Sequence, residues 1–165
     1  MRLHLNEIIN VPGSEAPFEY ELDISDLSFD GVKSLPDTLS VSGKVRNIAG
    51  MLVMTAHVAG DMTCVCARCL AEFERDIDLD IEAVLADELQ DEDNPDIFLL
   101  DGDYIDLDEV IITYFVLNMD QKFLCSEDCK GLCEKCGKNL NDGPCDCRPD
   151  IDPRLAALQQ LLYND

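Results

Sequence analysis

The chain has 165 residues, 47% hydrophobic and 28% charged, about one domain's worth of polypeptide and enough to bury roughly 70% of its unfolded surface without disulfides. Asp and Glu number 35 against 12 Lys and Arg, for a net charge of −23. That excess excludes a conventional basic nucleic-acid binder acting through its whole surface and favours partners that are themselves basic.

Taken in chain order, the first half reads as β structure. Phe18, Tyr20, Leu22 and Ile24 alternate with polar residues, the period of a half-buried strand. Val41 to Ile48 and Leu52 to Met62 are two further β-rich runs, joined by Asn47-Ile48-Ala49-Gly50, which reads as a hairpin turn. A fourth run sets Phe73, Arg75, Ile77, Leu79 and Ile81 on one face, with Glu72, Glu74, Asp76, Asp78 and Asp80 on the other. The expectation is an antiparallel sheet with one wet, strongly acidic face. Asp87 to Asp96 is polar and reads as an exposed loop. Asp106 followed by Glu109 is the signature of a capping box. Leu107, Val110, Ile111, Tyr114, Phe115 and Leu117 then make a helix apolar around most of its circumference, expected to be buried. A second helix is signalled by Asp152-Pro153 and runs through Leu155, Leu158, Leu161 and Leu162. The fold class expected is α+β: an antiparallel sheet with a buried helix, a Cys-rich zinc-knuckle segment and a C-terminal helix. The division is a β-rich core with one helix over 1–120 and a Cys-rich segment with the last helix over 121–165, together one folding unit.

No run approaches the roughly 18–20 apolar residues of a membrane span. The first 18 residues lack the continuous apolar stretch and small-residue cleavage site of a secretory leader. A cytoplasmic protein is expected, and in a reducing compartment nine cysteines read as metal ligands or redox thiols, not as disulfides.

Those cysteines fall into two groups: Cys64, Cys66 and Cys69 between two strands, and Cys125, Cys129, Cys133, Cys136, Cys145 and Cys147 in the segment between the helices. Cys133-Glu134-Lys135-Cys136-Gly137 has knuckle spacing, in which a tight turn aims two sulfurs and the following amides at one ion. Cys145 and Cys147 would complete a local tetrahedron. Cys66 and Cys69 with Cys125 and Cys129 would make a second site, bridging the sheet and the Cys-rich segment. Soft thiolates select zinc first, two ions here, with iron the alternative. Cys64 is the odd one, read as an ordinary strand residue. A competing reading is a thiol oxidoreductase using Cys66 and Cys69, with Arg68 lowering a thiol pKa; against it, the motif lies between antiparallel strands and not at a helix start.

His4 and His57 both sit in strand contexts and read as ordinary strand side chains, His57 as a zinc ligand being the lesser alternative. No phosphate loop, nucleophile elbow or metalloprotease motif is present, so nothing argues for an enzyme. Charge is polarised along the chain: residues 71–110 hold 17 acids and one base, whereas 122–154 hold seven acids and six bases. The acidic tract reads as a solvated surface or a docking site for a basic protein. Arg68, Lys130, Lys135 and Lys138 are the candidate partner contacts, although solubility alone accounts for the lysines.

The string CARCL after a strand, the block LCSEDCKGLCEKCGKNLNDGPCDC and the terminal DPRLAAL together resemble the YceD family of large ribosomal RNA subunit accumulation proteins, in order along the whole chain. The resemblance implies a role in the synthesis, processing or stability of large-subunit ribosomal RNA and brings no catalytic residue; within that role the partner is a basic ribosomal protein or the RNA itself, and charge prefers the protein. It also implies that the first Cys-x-x-Cys, Cys66 and Cys69, is the shared element. Cys133, Cys136, Cys145 and Cys147 match only a cysteine-rich branch, so the local site is not what the family's function requires.

Overall fold

A computed structural model describes residues 1–86 and 97–147. The elements are β1 (Arg2–His4), α1 (Asn6–Ile9), β2 (Glu15–Asp23), β3 (Val32–Ser34), β4 (Thr38–Ile48), β5 (Met51–Val65), β6 (Glu72–Ala86), β7 (Ile97–Leu99), β8 (Tyr104–Asp106) and α2 (Leu107–Asn118). A six-stranded sheet runs in the order β2-β4-β5-β6-β7, with β3 pairing onto β5, and β1 and β8 form a separate two-stranded sheet.

The four long strands follow directly from alternation. In β6, Ile77, Ile81, Ala83 and Leu85 are buried while the acids between them are exposed, as are Glu72 and Glu74 nearer its start. The matching pattern in β2 and β4 places Phe18, Leu22, Leu39, Val41 and Val45 in the same core. The hairpin between β4 and β5 pairs Ile48 with Met51, leaving a two-residue turn, Ala49-Gly50, with φ of 55° and 95°. Two successive positive φ angles are the primed turn that suits the right-handed twist of the flanking strands. Asn47 braces that turn from inside: 2% exposed, its Nδ2 donates to the carbonyls of Ile8 and Ile9 at 2.8 and 2.7 Å, and its Oδ1 accepts from the Gly50 amide at 2.8 Å.

The structure departs from the sequence expectations in two places. The sheet dominates, and it is not wholly antiparallel, because β7 joins β6 in parallel. Helix α2 is not buried all round: Leu107, Val110, Ile111 and Phe115 face the core, while Val116 is 44% and Leu117 75% exposed. A single helix laid on one face of a sheet has only one side to bury, whatever its composition. Its N-cap is Asp106, whose carboxylate accepts from the Asp108 amide. The helix expected over 152–162 and the loop over 87–96 lie outside the described residues.

Candidate metal centre

Strands β5 and β6 are joined by a turn that carries the upstream cysteines. The Leu70 amide donates to the Cys66 carbonyl at 2.9 Å, and the Cys66 amide to the Ala71 carbonyl at 2.9 Å. Leu70 closes the turn with a φ of 58°. The downstream knuckle repeats this backbone: Gly137 donates to the Cys133 carbonyl at 2.8 Å and Cys133 to the Lys138 carbonyl at 2.8 Å, with Gly137 at a φ of 70°. In each case the turn aims two sulfurs to one side.

Two groups of four sulfurs result. Cys66, Cys69, Cys125 and Cys129 lie with all sulfurs within 4.8 Å of one another, and so do Cys133, Cys136, Cys145 and Cys147. In the first group Cys66 Sγ is 3.7 Å from Cys129 Sγ, and Cys69 Sγ is 3.6 Å from Cys125 Sγ. A tetrahedral zinc tetrathiolate with Zn–S bonds of about 2.3 Å has sulfur–sulfur edges of about 3.8 Å, so the spacing fits a metal. None of the nine cysteines forms a disulfide.

Acidities within each cluster split in the way a cation would resolve. Burial opposes ionisation of Cys66, but the backbone amides of Cys125, Cys69 and Arg68 outweigh it and bring the thiol down to about 6. Cys133 is likewise lowered to about 6, by the amides of Cys136 and Lys135. Hydrogen bonding with Cys69, Cys129 and Cys66 pushes Cys125 up to about 12, and Cys136 chiefly does the same for Cys147, also to about 12. Four thiolates at this separation repel one another, and a divalent ion is the charge that lets all four ionise together.

The Cys-rich segment is docked through Phe123 on one side and through Arg68 and Arg75 of the β5–β6 hairpin on the other. Buried Phe123 accepts the Ala67 amide on its carbonyl at 2.8 Å and lies under the Arg75 guanidinium, 5.5 Å from its ring centre. Arg75 in turn pairs with Asp120 at 2.6 Å. Arg68 donates to the carbonyls of Glu127 and Cys129 at 2.9 and 3.0 Å, so its guanidinium clasps the loop that presents Cys125 and Cys129. Gly131 permits the close approach: a Cβ there would stand 3.0 Å from the Arg68 carbonyl oxygen. Phe123 was not among the candidate residues; its signal was the apolar pair Phe123-Leu124 just before Cys125. Asn141, which donates to Cys129 Sγ at 3.3 Å, carried no signal, since an asparagine in such a segment reads as a turn former.

Of the other candidates, Lys138 donates to the Pro144 carbonyl at 2.8 Å, while Lys130 and Lys135 are exposed. Cys64 is fully buried in the main hydrophobic core, apart from both clusters. His57 lies on the open face of the sheet, 3.0 Å from Asp80, and His4 stacks on Tyr104 with ring centres 4.6 Å apart; neither belongs to a cysteine cluster. Among the described residues no helix is long and apolar enough to cross a membrane.

Sheet, docked segment and paired tetracysteine clusters define an acidic β-sheet protein able to hold two metal ions. Residues 54–162 match the family model described as large ribosomal RNA subunit accumulation protein YceD, and the chain belongs to that family. It is 29% identical over 130 residues to the uncharacterized protein Rv2926c of Mycobacterium tuberculosis, covering 75% of this chain and 62% of the relative. It is 27% identical over 111 residues to the uncharacterized protein YlbN of Bacillus subtilis, covering 66% of this chain and 64% of that one. The chain thus spans less than two thirds of these relatives' length. No solved structure matches it.

Proposed function

We propose that this protein is a non-enzymatic accessory factor in ribosome biogenesis, supporting accumulation of large-subunit ribosomal RNA by binding a basic ribosomal protein. The family's description supports the ribosomal setting. The open face of the sheet is the observation that carries the choice of partner. Its cross-strand rows run Glu19–Ser42–His57–Asp80 and Glu21–Ser40–Ala59–Asp78. Ser40, Ser42, Ala59 and His57 therefore floor a trough whose walls, on β2 and β6, are acids. Those walls stand three strand spacings apart, about 14 Å, wide enough for an extended or helical basic segment of about 10–12 Å diameter. Lys44 and Arg46 reach Glu15 at one end, at 3.2 and 3.6 Å, leaving the trough negative. Both cysteine clusters serve this reading as zinc staples, iron being the alternative: the bridging one would hold the Cys-rich segment on the β5–β6 turn, and the local one would close residues 133–147 on themselves.

RNA contact through the metal segment is less well supported, because Arg68 and Lys138 both donate to backbone carbonyls of that segment. Capture of partners from lysate, with and without ribonuclease, tests the choice. Recovery of a basic ribosomal protein that survives ribonuclease is expected, and it should be lost in Asp78→Asn/Asp80→Asn/Glu82→Gln. Ribonuclease-sensitive recovery of large-subunit RNA, unchanged in that variant, would reverse the assignment. One observation favours a second reading, a thiol oxidoreductase: Cys66 is acidic at about 6 and shares a turn with Cys69. Rapid formation of a Cys66–Cys69 disulfide with release of metal would support it.

A further inference from the structure

Besides the backbone between Cys129 and Cys133, one side chain links the two clusters. Residues 131–132 and 139–140 run antiparallel: Leu140 donates to the Gly131 carbonyl at 2.9 Å, and Leu132 bridges to Asn139. The next residue, Asn141, lies between Cys136 and Cys145, inside the loop that the local cluster closes. Its side chain nevertheless serves the bridging cluster. Nδ2 donates to Cys129 Sγ at 3.3 Å and to Asn139 Oδ1 at 2.9 Å, while Oδ1 accepts from the Lys130 amide at 2.8 Å. Asn139 Oδ1 also accepts from the Asn141 backbone amide at 3.0 Å. Both Nδ2 hydrogens and the amide oxygen are therefore engaged, which fixes the nitrogen, not the oxygen, toward the sulfur.

An N–H donor on a ligating thiolate draws off charge and orients the lone pair. Partners of this kind typically change metal affinity by about 10–100-fold. A metal at Cys133, Cys136, Cys145 and Cys147 would close the loop that carries Asn141 and so reinforce the backbone bonds that hold this donor in place. We propose that the two clusters bind metal cooperatively and that Asn141 is the positioning residue that couples them. The inference rests on reading both clusters as metal sites. Linkage makes the coupling reciprocal: metal at the bridging site, by holding Cys129 and Lys130, favours metal at the local one.

The test is a cobalt titration of the metal-free full chain. Thiolate-to-cobalt absorption reports binding, and protection of Cys66 and Cys69 from alkylation, read by mass spectrometry, reports the bridging site alone. Cys133→Ser/Cys136→Ser, which empties the local site, should weaken the bridging site about tenfold. Asn141→Ala, with the local cysteines intact, should weaken it by a similar factor, and combining the changes should add little. At saturating cobalt every variant should recover the wild-type absorption per bridging site, which separates weakened affinity from a protein that does not fold. If Asn141→Ala does not recover, Asn141→Ser takes its place in the same cycle. Equal bridging-site affinity in all variants, or losses that multiply on combination, would overturn the coupling. Absence of thiolate-to-cobalt absorption in the wild-type protein would overturn it together with the metal reading beneath it.

Discussion

At the upstream knuckle Leu70 donates to the Cys66 carbonyl, and at the downstream one Gly137 donates to the Cys133 carbonyl, yet the two four-cysteine clusters have opposite surroundings. The bridging cluster is largely buried, with Cys66 at 0%, Cys69 at 6% and Cys129 at 5% exposure, and it ties residues 56 and 63 positions apart in the chain. The local cluster falls within residues 133–147, with Cys136 exposed. Equal chemistry thus does unequal structural work. A bridge that closes a long loop restrains more of the unfolded chain than one that closes a short loop. Losing the bridge also strips cover from the end of the β5–β6 hairpin, whereas losing the local cluster frees only the segment it encloses.

The largest expected effect comes from Cys66→Ser, which should destabilise the whole protein by about 4 kcal/mol or more, the range reserved for loss of a structural metal. At roughly 2–4 °C per kcal/mol for a chain of this size, its thermal midpoint should drop by about 8 °C or more. Cys133→Ser should cost far less globally, about 1.4 kcal/mol, the equivalent of a tenfold loss at the bridging site. Its main signature should be faster amide exchange confined to residues 133–147. Equal midpoint losses for the two serine variants would erase the distinction drawn between the clusters. Arg68→Ala removes two donors to the loop that presents Cys125 and Cys129. It should cost about 1–2 kcal/mol, and chelator challenge followed by alkylation should release metal faster from the bridging site than from the local one. The smallest effect, of opposite sign, is expected from Leu70→Gly. Leu70 holds a left-handed φ of 58° that the matching position of the downstream knuckle gives to glycine. Relief of that strain should raise stability by up to about 1 kcal/mol, read as an upward shift in denaturation midpoint. A decrease would mean that the Leu70 side chain contributes packing the backbone comparison does not capture.

Strands with a wet face were legible from alternation alone, because exposed acids and buried aliphatics are forced to opposite sides of the pleat; β6 is the clearest example. The short elements were not. β1, β3, β7 and β8 have three residues each, too few to show a period, and each exists because a distant partner offers its edge. The exposure of Leu117 escaped for a related reason: a composition apolar all round does not say how many neighbours a helix has. At the candidate centre, Cys-x-x-Cys spacing marks a knuckle because geometry within five residues is local. What positions the knuckles on each other is not local. Phe123 under Arg75, Arg68 on the Glu127 carbonyl and Asn141 on Cys129 are long-range contacts of ordinary residue types, and no spacing announces them.

The separation of the bridging ligands bears on how the chain is made. Cys69 leaves the translating ribosome 56 residues ahead of Cys125, an interval of about 3–11 s at synthesis rates of about 5–20 residues per second. Once Ala86 has followed, the β5–β6 hairpin presents two of the four candidate ligands, Cys66 and Cys69, until Cys125 and Cys129 emerge. The sheet must hold its register without the staple, which the fourteen-pair ladder between β5 and β6 is long enough to provide. A metal at the bridging site would find its full ligand set only after Cys129 has emerged, with the ligands of the local cluster still to follow.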